Sequence, residues 1–171
     1  LMDYVAPDHS SRDWYEASGQ VVAGTYAMQI MGTWMQPLMT SMGQEYGKDY
    51  GIFTFPGTEG WFGMCIDGFV VSNDSADVEG GVRWAYNVST KDVQTAFSAL
   101  KESISPYSDT PDDTYCALTQ HFKEQLTSEE TKVYPSFTHG TALPWSASTS
   151  LQTQIQEFAT SSDHDAAYFA N

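Results

Sequence analysis

The sequence has 171 residues, 41% of them hydrophobic and 14% aromatic, so it can bury a core of ordinary domain size and is not a disordered chain. Acidic residues outnumber basic ones 22 to 7, giving a formal net charge of −15. That balance argues against nucleic acids and anionic lipid surfaces as partners, since both need basic residues. No run reaches the roughly 18 apolar residues of a membrane-spanning helix.

Only 17% of residues are charged, yet most of those are acidic, and Ser and Thr are abundant. Such a surface repels itself at low ionic strength and is relieved by concentrated salt. This points to a halophilic source; an acidic protein from a mesophile is the alternative. The opening, Leu1 to Trp14, carries no basic and apolar leader pattern. Tyr4, Val5 and Pro7 read as the tail of an earlier segment, so the chain is expected to be a piece of a longer protein.

In chain order, residues 10–23 read as an amphipathic helix with Trp14, Ala17, Ser18, Val21 and Val22 on one face, a Ser10/Asp13 capping box and Gly24 as the stop. Residues 26–31 read as a buried strand. After the Gly32 turn, a Thr33/Gln36 capping box predicts a helix from Trp34 to about Ser41. Residues 52–55 alternate as a strand closed by Pro56-Gly57, residues 57–64 read as a surface loop, and 66–71 as another strand. Helices are predicted over about 77–88, with Val78, Val82, Ala85 and Tyr86 on one face, and about 90–101. The second is capped by Ser89/Asp92, with Val93, Ala96, Phe97 and Leu100 facing inward. A polar loop at 102–112, a helix near 113–126 and a final helix at about 146–160 complete a helix-rich α/β pattern.

Phosphate-binding loops, nucleophile elbows and zinc motifs are absent. The four histidines, at 9, 121, 139 and 164, lack metal-ligand spacing. Cys65 and Cys116 read as small buried hydrophobes, with a disulfide as the minority reading. Asp109, Asp112 and Asp113 read as a solvated loop rather than a cation site. Asn73-Asp74-Ser75 and Asn87-Val88-Ser89 match the glycosylation pattern at a frequency chance allows.

One stretch is more specific. Gly19 to Trp34, ending Ala27-Met28-Gln29-Ile30-Met31-Gly32-Thr33-Trp34, resembles a segment of the extracellular solute-binding proteins of carbohydrate ABC importers. Tyr50 to Gly57, Ile66 to Val71, the helix pair from Val82 to Phe97, Leu100 to Pro106 and Ser136 to Gly140 resemble later segments of that family in the same order. The glucose/mannose-type members are the nearest in pattern. Two positions depart: Thr33 stands where Asp often precedes the Trp, and Lys101-Glu102-Ser103 replaces Lys-Gly-Ser.

The resemblance implies the C-terminal portion of a two-lobed, type II periplasmic-binding-protein-like fold. Residues 1–67 would form part of the C-terminal lobe. Residues 68–112 would cross into the N-terminal lobe, and 113–171 would supply the final C-terminal-lobe helices. The N-terminal half of the family fold would lie outside this sequence. It implies an extracellular or periplasmic sugar receptor that needs no cofactor and serves a membrane permease.

A sugar offers flat C–H faces and a rim of hydroxyls, so its site needs an aromatic plate and ionic or amide partners. Trp suits the plate because its wide face buries apolar area while its N–H can still donate. By the resemblance Trp34 would face the cleft at the helix start and stack on the ring, and Trp14, twenty residues earlier, would form a second wall. Asp67, Lys101 and His139 would bond the hydroxyls. Plainer readings stand beside these: core packing for Trp14, a helix-dipole cation for Lys101 and a loop histidine for His139. Asp67 is singled out because a carboxylate inside an apolar strand needs a reason. Trp61, Phe62 and Trp145 would line the cleft or pack. Other functional classes are a glycoside hydrolase or lyase using Asp67 with Glu59, and a structural or adhesive surface domain.

Overall fold

A computed structural model describes residues 2–161; Leu1 and residues 162–171, with His164, lie outside the described residues. The chain divides into two compact units. Among the described residues, one contains those up to Val5, Gly60–Gly68 and Glu129–Ser161. The other contains Ala6–Glu59 and Phe69–Ser128. The second unit holds helices α1 (Trp14–Val22), α2 (Met35–Ser41), α3 (Val78–Val88), α4 (Lys91–Lys101) and α5 (Ala117–Thr127). The first holds strands β1 (Trp61–Met64) and β2 (Lys132–Pro135) and helix α6 (Trp145–Thr160). Helix-rich secondary structure with a small sheet agrees with the sequence expectation at that level.

The helices form near their predicted places, but several begin differently. The capping box of α1 is Asp13 with Glu16 rather than Ser10 with Asp13, because His9–Ser11 forms a separate 3-10 turn. Gly24 closes α1 in the left-handed region, φ 73°, which a glycine adopts without steric cost. The Thr33/Gln36 box does not form. Trp34 is the N-cap of α2 without a side-chain cap, and the Gln36 N–H bonds the Thr33 carbonyl instead. Ser89 closes α3 rather than capping α4, whose N-cap is Thr90. Asp77 caps α3 by accepting the Gly80 N–H at 2.8 Å. The inward face predicted for α4 is overturned: Val93, Ala96, Phe97 and Leu100 are all exposed, Leu100 to 84%, and the buried residue is Ser98. Val78, Val82 and Tyr86 of α3 are likewise in solvent.

None of the three predicted strands forms. Residues 26–31 run as coil with Ile30 74% exposed. Residues 52–54 lie beside α5, where Ile52, Phe53 and Thr54 face Leu118, His121, Phe122 and Gln125 across a small cleft. Residues 69–71 lie along α3: Phe69 meets Trp84 edge-on at 5.1 Å, and Val71 occupies the space over Gly81, where a Cβ would come within 2.7 Å of it. Val70 points to solvent, 93% exposed. The strands that do form lie in the expected 57–64 surface loop and in a stretch for which the sequence predicts no element. They pair in parallel, Trp61 with Lys132 through Met64 with Pro135.

Among the described residues the apolar core is small: Leu38 and Met39 of α2, Tyr115, and Leu118 of α5. Around it lies a polar network, buried at Ser105 and Thr110. The Ser105 N–H donates to Tyr115 Oη at 3.2 Å, and Thr110 Oγ1 donates to Ser105 Oγ at 2.9 Å. Lys123 Nζ bonds the Thr110 carbonyl at 3.2 Å and Asp112 at 2.6 Å, and lies 5.2 Å from the centre of the Tyr115 ring. The Asp112 carboxylate holds the Lys123 ammonium above its usual pKa. The loop after α4 is thus fixed from within, as buried polar groups require. The two cysteines are exposed, against the buried reading. Cys116 Sγ accepts the Gln36 Nε2 hydrogen at 2.6 Å.

Candidate functional site

Trp14 and Trp34 belong to one unit, on helices that touch each other. Trp14 opens α1, where Asp13 Oδ1 accepts the Glu16 N–H at 2.7 Å and places carboxylates at the positive end of the helix. One turn on, Ser18 is fully buried, its Oγ 2.8 Å from the Trp14 carbonyl and 2.9 Å from Gln29 Oε1. Gln29 Nε2 donates to the same carbonyl at 3.1 Å. One glutamine therefore docks the 26–31 coil on the start of α1. Trp14 is 42% exposed, and its ring meets Tyr15 edge-on. Nearby, the Arg12 guanidinium binds Asp8 and holds its carboxyl below the usual range, while Arg12 is itself raised.

Trp34 is half-buried and folded back over its own turn. A Cβ on Gly32 would stand 2.2 Å from the Trp34 ring, so the indole can lie there only over a glycine. Its Nε1–H donates to Met31 Sδ at 3.1 Å. The indole N–H is thus bonded within the chain.

Lys101 ends α4 as predicted, with Nζ 5.6 Å from the centre of the Phe97 ring. The next residue explains one departure noted in the sequence. Glu102 lies in the left-handed region, φ 53°, the position where a glycine ordinarily closes a helix. Its carboxylate accepts the Thr40 hydroxyl of α2 at 3.1 Å, and its carbonyl accepts the Thr119 hydroxyl of α5 at 3.1 Å. The end of α4 is thereby tied to α2 and α5. Burial, and then the negative charge of Glu102, raise the Tyr50 pKa.

Asp67 and His139 belong to the other unit. Asp67 is exposed and sits in coil after β1, so the argument from a carboxylate in an apolar strand loses its premise. His139 stands in the turn that follows β2. Ser136 Oγ lies 2.7 Å and Thr138 Oγ1 3.1 Å from its Nδ1. The Ser136 N–H donates to the Met64 carbonyl at 2.9 Å, anchoring the turn to β1. On the same sheet, Trp61 meets Tyr134 edge-on at 6.0 Å with Lys132 Nζ 5.1 Å from the centre of its ring. The Tyr134 ring crosses Gly63, where a Cβ would come 3.1 Å from its Oη.

The supporting residues Ser18, Gln29, Met31, Ser136 and Thr138 were missed in the sequence. Their signal was weak: polar side chains in apolar runs and hydroxyls flanking a histidine. Asp109 and Asp112 are engaged by Lys91 and Lys123, and no cluster that could hold a metal ion occurs among the described residues. Glu59 Oε1, the other carboxylate of the hydrolase reading, accepts the Gly57 N–H at 3.2 Å in its own turn.

No protein-family model matches the chain. Over 162 residues it is 35% identical to an ABC transporter extracellular-binding protein of Pyrococcus horikoshii, a match covering 95% of this chain and 36% of the relative. It is 29% identical over 147 residues to a probable sugar-binding periplasmic protein of Brucella suis, covering 84% of this chain and 35% of that protein. It is 26% identical over 142 residues to a xylose/arabinose-binding protein of Haloferax volcanii, covering 82% and 31%. The chain thus spans about a third of the length of the curated relatives it matches.

Proposed function

We propose, from the premise that this chain is a homologue over most of its length of the extracellular binding proteins of ABC transporters, that it is part of a sugar receptor serving a membrane permease. Its role is binding rather than catalysis, as in relatives named throughout as binding proteins. The location follows from the same relatives: outside the cytoplasmic membrane, at the cell surface or in a periplasm.

The observation that carries the sugar reading is the pair of tryptophans at the starts of α1 and α2, each with its backbone or ring held by dedicated neighbours. Trp34 supplies an apolar plate over Gly32, and Trp14 a second, more exposed ring. Stacking on a pyranose face uses such rings, and ionic groups then bond its hydroxyls more strongly than neutral groups do. Lys101, Asp67 and His139 are the partners in this reading. Residues 68–112 belong, in the same reading, to a lobe completed by chain outside this sequence, and the apolar side chains that α3 and α4 carry in solvent support that assignment. The acidic composition and the Haloferax relative support a halophilic source.

Calorimetry of the intact protein against xylose, arabinose, glucose and mannose tests the reading. Binding of one of them, reduced about 100-fold or more by Trp34→Ala in a protein that still folds, is expected from the loss of a large buried aromatic contact. Absence of binding to every sugar, or unchanged affinity in Trp34→Ala, overturns it. Melting in low and molar KCl tests the salt reading: a flat response removes it.

A further inference from the structure

We infer that Ser136 and Thr138 are positioning residues that fix the tautomer of His139, so that its neutral ring accepts at Nδ1 and carries its hydrogen on Nε2. The inference deepens the sugar-binding reading, because it makes His139 a hydrogen-bond donor toward a sugar oxygen, and it rests on that reading for its functional meaning.

Three polar atoms form a closed triangle. Ser136 Oγ lies 2.7 Å from His139 Nδ1, Thr138 Oγ1 lies 3.1 Å from the same nitrogen, and the two hydroxyl oxygens are 3.1 Å apart. The carbonyls around them are already engaged. Ser136 O accepts the N–H groups of Thr141 and Ala142, and Phe137 O accepts that of Gly140. Helix α6 adds a second bond to Phe137 O, from the fully buried Ser148 at 2.6 Å, and engages Thr138 O through Gln152 Nε2 at 3.1 Å. The hydroxyl hydrogens of Ser136 and Thr138 therefore find their nearest acceptors within the triangle.

With Nδ1 as acceptor, the Thr138 hydroxyl donates to Ser136 Oγ and the Ser136 hydroxyl donates to Nδ1. Both hydrogens are used, and the two bonds run in one direction and reinforce each other. With a hydrogen on Nδ1 the same triangle holds three hydrogens and one of them has no acceptor in it. The partner of one ring nitrogen decides which nitrogen carries the proton. Helix α6 pins the carbonyls of residues 137 and 138, which holds the turn that carries the triangle.

Nitrogen-15 NMR of the histidine side chains in the intact protein, at a pH where the rings are neutral, tests this, with the His139 signals assigned from His139→Gln. The expected result is a pyridine-like Nδ1 and a pyrrole-like Nε2. In Ser136→Ala with Thr138→Val the signals should move to a mixture of tautomers, and Ser136→Thr should restore the native pattern. Sugar affinity in Ser136→Ala should fall about threefold to tenfold, the equivalent of one hydrogen bond. A pyrrole-like Nδ1 in the native protein, or signals unmoved in the double variant, overturns the inference. The spectrum needs no ligand, so a native tautomer as expected with no sugar bound would defeat the receptor reading and leave the positioning role standing.

Discussion

Two regions of the larger unit differ in how they are held. The junction of α2, α4 and α5 buries Leu38, Met39, Tyr115 and Leu118 among hydroxyls and amides that bond one another. The coils at 26–31 and 69–71 are at least as apolar in sequence, yet each is held at a few points. Gln29 on Trp14, Phe69 on Trp84 and Val71 over Gly81 fasten them, while Ile30 and Val70 stand in water. Apolar content alone does not create a core; neighbours that exclude water on every side do.

The largest expected effect is on the junction side of this contrast. Leu118→Ala should cost about 2–5 kcal/mol in urea melts, as truncation of a fully buried leucine does. Val70→Ser should stay within about 0.5 kcal/mol, like other substitutions of solvent-facing residues. Equal losses would mean that the 69–71 coil is covered in solution, and the contrast would fail. Next comes Gly32→Ala, where the new methyl and the Trp34 ring cannot share one volume. We expect about 1–3 kcal/mol of destabilisation from overpacking and a changed tryptophan emission spectrum. An unchanged spectrum would show that the indole lies elsewhere.

Tyr115→Phe should cost about 1 kcal/mol by removing the acceptor of the Ser105 N–H; a neutral result in the same melts would place water in that junction. At the end of α4, Glu102→Gly should be more stable than Glu102→Ala by about 1 kcal/mol, since only glycine adopts the left-handed conformation without strain. Chemical denaturation of the pair distinguishes the strain from the lost Thr40 bond, which both variants share.

The smallest effect concerns pH. Lys91 bonds Asp109 at 2.7 Å and lowers its carboxyl pKa. A lowered folded-state pKa adds stability above the ordinary carboxylate pKa, and that stability is lost as the pH falls through the folded value. Thermal melts of the native protein and Asp109→Asn should therefore differ slightly at neutral pH and converge in acid. A gap that persists at pH 2 would assign the difference to something other than the ion pair.

These contrasts also explain what could be read in advance. Helices α1, α3, α4 and α6 were legible because their hydrogen bonds, caps and Gly24 stop lie within a few residues of one another. The strands were not, because a strand exists only where a distant segment supplies the other half of its bonds. Alternation at 52–55 and the apolar run at 66–71 gave no information about that partner, while Trp61–Met64, split by Gly63, paired with residues some seventy positions away. The same division holds for the candidate site. Trp34 after its glycine turn and Lys101 at a helix end were local readings. Asp67 was singled out on a strand that does not form, and the residues that orient Trp14 and His139 act across 11 to 15 positions or through hydroxyls that carry no pattern.

The sulfur that accepts the Trp34 indole N–H gives this plate a chemical sensitivity of its own. A thioether is a weak, soft acceptor, and its sulfoxide is a polar one with a different shape. Mild peroxide treatment that converts Met31 should rotate the indole away from its reduced-state pose and lower sugar affinity, and reductase repair should restore both. An oxidised protein with native affinity would show that the ring keeps its pose without the thioether.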